Sequence, residues 1–86
     1  MITARQTRAA RALLGWTQET LADKALVSLT ALKRLESEHD LKVYESTSDQ
    51  VRRALEAAGI VFLASDRGEG VMIVHGTERR DQMSPA

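Results

Sequence analysis

Thr17–Glu36 reads TQETLADKALVSLTALKRLE, and its caps and apolar spacing predict two short helices joined by a tight turn. Thr17 has the side-chain oxygen that an N-cap needs and Gln18 follows it; Leu21, Ala22 and Ala25 then share one face. Leu26, Val27 and Ser28 interrupt that pattern. Ser28 can cap a second helix, in which Ala31, Leu32 and Leu35 recur at helical spacing. Two helices joined by about three or four residues fit the unit whose second helix can lie in a DNA major groove; a plain helical hairpin is the duller alternative.

Burying Leu32 and Leu35 turns Leu29, Thr30, Lys33 and Arg34 outward, because residues three or four apart share a helix face. Thr30 and Arg34 are one turn apart, as are Leu29 and Lys33. On a duplex, Arg34 would suit two hydrogen bonds to a guanine and Leu29 the methyl group of a thymine. Without a duplex, the same residues are a solvated face.

The longer stretch RAARALLGWTQETLADKALVSLTALKRLE, residues 8–36, resembles small regulators of the phage-repressor and XRE helix-turn-helix class. Arg11, Leu14, Gly15, Trp16, Gln18, Leu21, Ala22, Val27, Ser28, Leu35 and Glu36 fall on the family pattern, and the likeness runs from about Ile2 to Ile73. The resemblance implies that Gln18, with Thr17 beside it, contacts a backbone phosphate. It places Leu29, Thr30, Lys33 and Arg34 at base-facing positions, with Ser28 capping that helix, and Ser37 near the backbone beyond it. Arg11 and Glu36 would form an internal ion pair that orients the reader and carries no sequence information. The family usually has glycine where this chain has Leu26. A left-handed leucine there would cost roughly 1–2 kcal/mol, so the turn is expected to be strained or reshaped. At the position of Leu29 relatives often have a polar or basic side chain.

Upstream, a helix is expected from about Thr3 to Leu14, with Thr7, Ala10 and Leu14 inward, Gly15 ending it and Trp16 plugging the space beneath. Downstream, SEHDLKVYESTS is loop-like, with Leu41, Val43 and Tyr44 as possible anchors. A fourth helix follows, capped by Ser46 with Asp49 or by Ser48 alone. Its stripe is Val51, Ala54, Leu55 and Ala58, and Gly59 stops it. Ile60–Ala64 (IVFLA) and Val71–Val74 (VMIV), separated by SDRGEG, then read as a β-hairpin. Both of its faces are apolar and an isolated hairpin is marginal in water. The expectation is a homodimer in which hairpins pair across a two-fold axis through Ile60, Phe62, Val71 and Ile73; the alternative is a hairpin folded back on its own helices.

The chain has 86 residues, one Trp, one Tyr, one Phe and no cysteine. That bounds a single small domain with an aliphatic core, no disulfide and no cysteine-ligated zinc. No apolar run approaches bilayer length and the N-terminus lacks a signal-peptide core, so a cytoplasmic protein is expected. Net charge is zero. Yet Met1–Glu36 has six basic residues (Arg5, Arg8, Arg11, Lys24, Lys33, Arg34) against three acids (Glu19, Asp23, Glu36), and the remainder has the opposite imbalance. A basic half facing DNA and modest non-specific affinity follow.

His39 and His75 have no partner at metal-ligand spacing, Gly68-x-Gly70 precedes a strand and no phosphate-binding helix, and no nucleophile sits beside a base. Neither an enzyme nor a metal or other cofactor is expected. The sequence therefore predicts a mainly α fold: a four-helix helix-turn-helix domain over residues 1–59, a dimerising hairpin over 60–74 and a disordered tail over 75–86. Two functions fit it. One is a homodimeric transcriptional regulator, in the first place a repressor, on palindromic double-stranded DNA. The other is a protein-interaction module, antiactivator or antitoxin-like, that turns the same helix and Leu29 toward a protein partner.

Overall fold

The computed structural model describes residues 2–37 and 45–75. Among them are four helices, α1 (Ala4–Leu14), α2 (Gln18–Ala25), α3 (Leu29–Glu36) and α4 (Glu45–Ala57), followed by β1 (Ile60–Ser65) and β2 (Gly68–Ile73) in an antiparallel hairpin. This is the mainly α architecture with a C-terminal hairpin that the sequence predicts.

Each of the first three helices starts on a hydroxyl cap. Thr3 Oγ1 accepts the Gln6 N–H at 3.1 Å while Gln6 Oε1 accepts the Thr3 N–H at 3.0 Å, a reciprocal capping box. Thr17 Oγ1 accepts from Thr20 N, and Ser28 Oγ from Ala31 N, both at 3.0 Å. The helix ends are less uniform. Gly15 closes α1 in the left-handed region at φ 70°, where glycine meets no Cβ clash. Leu26 closes α2 in the same region at φ 59°, ψ 42°. The turn is thus not reshaped around the leucine; the leucine adopts the glycine conformation, with its side chain 81% exposed.

The core is one aliphatic cluster: Ile2, Ala10, Leu21, Ala22, Ala25, Leu32, Leu35, Val51, Leu55 and Ile60. It joins every helix and the start of β1. Leu14, Trp16 and Val27 pack at its margin. Trp16 is half-buried against that core, and the Lys24 ammonium lies over its ring, 5.3 Å from the centroid.

Two local expectations are corrected. Ser46 and Ser48 do not cap α4, which already begins at Glu45; Ser48 is buried on its inner face with Val51 and Leu55. Spacing explains this: Ser48, Val51 and Leu55 are three and four residues apart and form one inward line. The SDRGEG segment is not a six-residue loop, because the ladder continues to Ser65↔Gly68 and leaves only Asp66 and Arg67 as the turn. Ser65 Oγ accepts the Arg67 N–H at 3.1 Å and so organises that turn. Leu41, Val43, Tyr44, His39 and the tail beyond His75 lie outside the described residues.

The hairpin packs on the helices of its own chain. Ile60 is buried, and Phe62, Val71 and Ile73 pack against the common core from the same face. The four residues expected to meet a second copy are therefore turned inward, and the outward face carries Val61, Leu63, Met72 and Val74. Strand alternation with Ile60 in the core allows no other arrangement.

Candidate nucleic-acid interface

On α3, Leu32, Leu35 and Glu36 are buried, whereas Thr30, Lys33 and Arg34 are exposed. Lys33 and Arg34 have no ion-pair partner among the described residues. Both sit in the last turn of α3, where the helix dipole favours cations. Thr30 is one turn earlier on the same face, so two cationic groups and a hydroxyl form a continuous outward strip.

Leu29 is not part of that strip as expected. It is half-buried and packs against the core at the first position of α3. Side chains in a helix lean toward its N-terminus, which takes Leu29 out of the exposed strip. Ser28 is exposed, but its hydroxyl already accepts from Ala31 N. Thr17 is also exposed and donates its hydroxyl proton to Thr20 Oγ1 at 3.0 Å. Ser37 is the C-cap of α3, half-buried, with its N–H donated to Arg34 O at 3.2 Å.

The position of the strip is fixed from below by one buried carboxylate. The Glu36 side chain is 2% exposed. It accepts Arg11 Nε at Oε2 (2.7 Å) and Arg11 Nη2 at Oε1 (2.8 Å), a two-point guanidinium–carboxylate fork. Arg11 Nη1 donates onward to Trp16 O at 3.1 Å, and Arg8 Nη1 donates to the Glu36 carbonyl. Glu36 hydrogen bonds raise the Arg11 pKa above its ordinary value, against the opposing effect of burial, so the guanidinium stays charged. No buried side-chain nitrogen or oxygen lacks a partner among the described residues.

Gln18 belongs to the same network. Its Nε2 donates to Glu36 Oε1 at 3.0 Å, which secures the start of α2 to the end of α3. The amide nitrogen carries a second hydrogen besides the one that meets Glu36. The neighbouring Glu19 is exposed and negative, which weakens anion binding at this helix start.

Gln6, Arg8 and Glu69 were not singled out from the sequence. Gln6 is buried; its Nε2 donates to Leu63 O and Gly70 O, both at 3.0 Å, across one rung of the hairpin. Glu69 accepts the Thr3 hydroxyl at 2.8 Å and Arg5 Nε at 3.3 Å. The Thr3-x-x-Gln6 spacing was a local signal for the capping box; nothing local announces that the same amide reaches more than fifty residues along the chain.

No group of three or more His, Cys, Asp or Glu among the described residues is arranged to hold a metal ion. No helix among them is long and apolar enough to cross a membrane. Residues 8–42 match the family model described as Helix-turn-helix. The match takes in most of α1 and all of α2 and α3, and ends before α4 and the hairpin. No curated protein matches the chain.

Proposed function

We propose that this chain is a DNA-binding helix-turn-helix regulator of the XRE type, a cytoplasmic homodimeric repressor that occludes a promoter by binding a palindromic operator; the helix-turn-helix match over residues 8–42 supports the DNA-binding part of that reading. The observation that carries this reading is the strip Thr30–Lys33–Arg34, exposed and without ion-pair partners among the described residues, on a helix whose far side is anchored by Glu36. A reading helix must present donors without letting them wander. The Arg11–Glu36–Gln18 network meets that need from the protein side.

In the proposed complex Arg34 and Thr30 meet base edges, and Lys33 meets a base edge or phosphate. Thr17, Gln18, Ser28 and Ser37 flank them along the sugar–phosphate backbone. Two copies read half-sites about 34 Å apart, so that protein and operator share a two-fold axis. Few cations face the duplex: Arg11 is consumed by Glu36 and Arg5 by Glu69. Base contacts must then supply much of the affinity, and non-specific binding is weak and loses little with salt.

Selection of bound fragments from randomised DNA tests the reading. Arg34→Ala is expected to weaken binding to the selected site by about 1–3 kcal/mol and relax preference at one base position, whereas Gln18→Ala weakens all sequences alike. An unchanged base preference in Arg34→Ala removes that residue from the role. The highly exposed Leu26 favours a second reading, a protein-interaction module; complete absence of selected DNA, with no affinity even at low salt, would favour it.

A further inference from the structure

We propose that Lys33 is a second specificity-determining residue beside Arg34, so that each half-site carries two guanines on different base pairs and no adenine read through the major groove by α3. This inference rests on the operator reading above and deepens it.

Helix geometry places the two heads. At about 3.6 residues per turn, successive side chains are about 100° apart around α3. Thr30 therefore lies near the midline of the exposed arc, with Lys33 about 60° to one side and Arg34 about 40° to the other, one turn further along. Leu32, Leu35 and Glu36 are buried on the opposite side. The two cationic heads thus diverge, and a duplex facing Thr30 meets them at separate base pairs. Neither is held elsewhere by an ion pair among the described residues.

The chemistry of the heads selects the base. A guanidinium and an ammonium donate hydrogen bonds and accept none. In the major groove only guanine presents two neighbouring acceptors, N7 and O6; adenine sets its N7 beside a donating amine, thymine sets O4 beside a methyl group, and cytosine offers only a donor. A donor-only head on any of these three loses a bond and meets a repelling or apolar neighbour. The amide side chains that match adenine are missing from α3, whose sequence LTALKRLE has neither Asn nor Gln, and the whole chain has no asparagine. The one acid of α3, Glu36, is buried and held by Arg11 and Gln18, so no carboxylate on this helix is free to accept from cytosine. Leu29 is withdrawn into the core, and the Thr30 hydroxyl both donates and accepts, so it discriminates little. A phosphate would satisfy the charge of Lys33 without any base preference, and substitution at Lys33 separates the two roles.

Selection from randomised DNA with the full chain, beside Lys33→Gln and Arg34→Gln, tests the inference. Both side chains are exposed, so neither change disturbs the core. Wild type is expected to select two guanines per half-site, each favoured roughly 5- to 150-fold over the other bases. Lys33→Gln is expected to lose the preference at one of them and Arg34→Gln at the other, each variant turning toward adenine, which glutamine matches. Replacing either guanine by 7-deazaguanine, which pairs normally but lacks N7, is expected to weaken wild-type binding about tenfold and to leave the variant at the matching residue nearly unaffected. Fewer than two guanines in the selected half-site, both variants relaxing the same position, a Lys33→Gln that weakens all sequences alike, or indifference of the wild type to 7-deazaguanine each overturns the proposal and leaves the operator reading standing. Absence of any bound DNA, even at low salt, overturns the operator reading and this inference together.

Discussion

Helix α1 is gripped near both ends, and the two grips are made of different chemistry. Toward its C-terminus Arg11 reaches a nearly inaccessible Glu36 through a two-point ionic fork that also takes in Gln18 and the Trp16 carbonyl. Toward its N-terminus Gln6 holds the hairpin by neutral amide–carbonyl bonds, with an exposed Arg5–Glu69 pair beside it. The first grip confines α3, because a charge pair out of water is costly in any other arrangement. The second is graded: neutral bonds each contribute modestly, and the ionic part is open to solvent. Fixity is greatest beneath the exposed strip Thr30–Lys33–Arg34.

The sharpest way to break this contrast is Glu36→Ala. It strands the Arg11 guanidinium, one Gln18 hydrogen and the joint between α1 and α3. The loss is expected to be about 3 kcal/mol, a large share of what a domain of this size has. Thermal unfolding should fall by more than ten degrees, since each kcal/mol shifts the midpoint by about 4–8 °C in a small domain. A drop of only a degree or two would mean that the network is ornamental.

Gln6→Glu tests the other end with almost no change of shape. A glutamate at this position keeps the capping box with Thr3 but replaces the two donors facing Leu63 O and Gly70 O with oxygen. Two carbonyls would then face a carboxylate, and the expected cost is about 2 kcal/mol. Hydrogen exchange should show the loss concentrated in β1 and β2, with α2 and α3 retaining their protection. Uniform loss across all elements would erase the distinction between the two grips.

The elements themselves were legible because local chemistry decides them. Thr3, Thr17 and Ser28 each provide an oxygen where a helix must begin, Gly15 permits the left-handed stop, and the spacing of Leu21, Ala22, Ala25, Leu32 and Leu35 marks the buried faces. Arg11 with Glu36 was reachable only through the family pattern, since twenty-five residues separate them. The hairpin was legible as strands and misassigned in facing. Both of its sides are apolar, so periodicity alone does not say which side the helices cover; Ile60, anchored in the core directly after α4, settles it. Leu29 was misplaced for a related reason: a helix's first residue leans out of the wheel on which its face is drawn. Gln6 was missed because its partners belong to tertiary structure.

The turn between α2 and α3 adds a stored cost to the more rigid end. Leu26→Gly places an unstrained residue at φ 59° and forfeits little burial, because the leucine side chain is mostly in water. Relief of roughly 1–2 kcal/mol of left-handed strain is partly offset by the greater freedom of glycine in the unfolded chain. The net expectation is a stabilisation of about 0.5–1 kcal/mol, read as a midpoint a few degrees higher. Destabilisation would show that the leucine makes contacts that outweigh the strain. If DNA affinity stays the same while binding to a protein partner is lost, the interaction-module reading gains.

Glu69→Ala should have the smallest effect and sharpens the contrast through salt. Glu69 accepts from Thr3 and Arg5 at the start of α1, where a negative charge also meets the helix dipole. The Arg5 side chain is 71% exposed, so solvent screens the pair, and its removal is expected to cost under about 1 kcal/mol. At about 1 M salt, where the screening length is near 3 Å, most of that difference should vanish. The Glu36→Ala loss should persist in the same salt, because ions do not reach a carboxylate sealed under α3. Equal salt sensitivity of the two variants would place both grips in one electrostatic class and remove the reason for treating the hairpin as the more loosely held end.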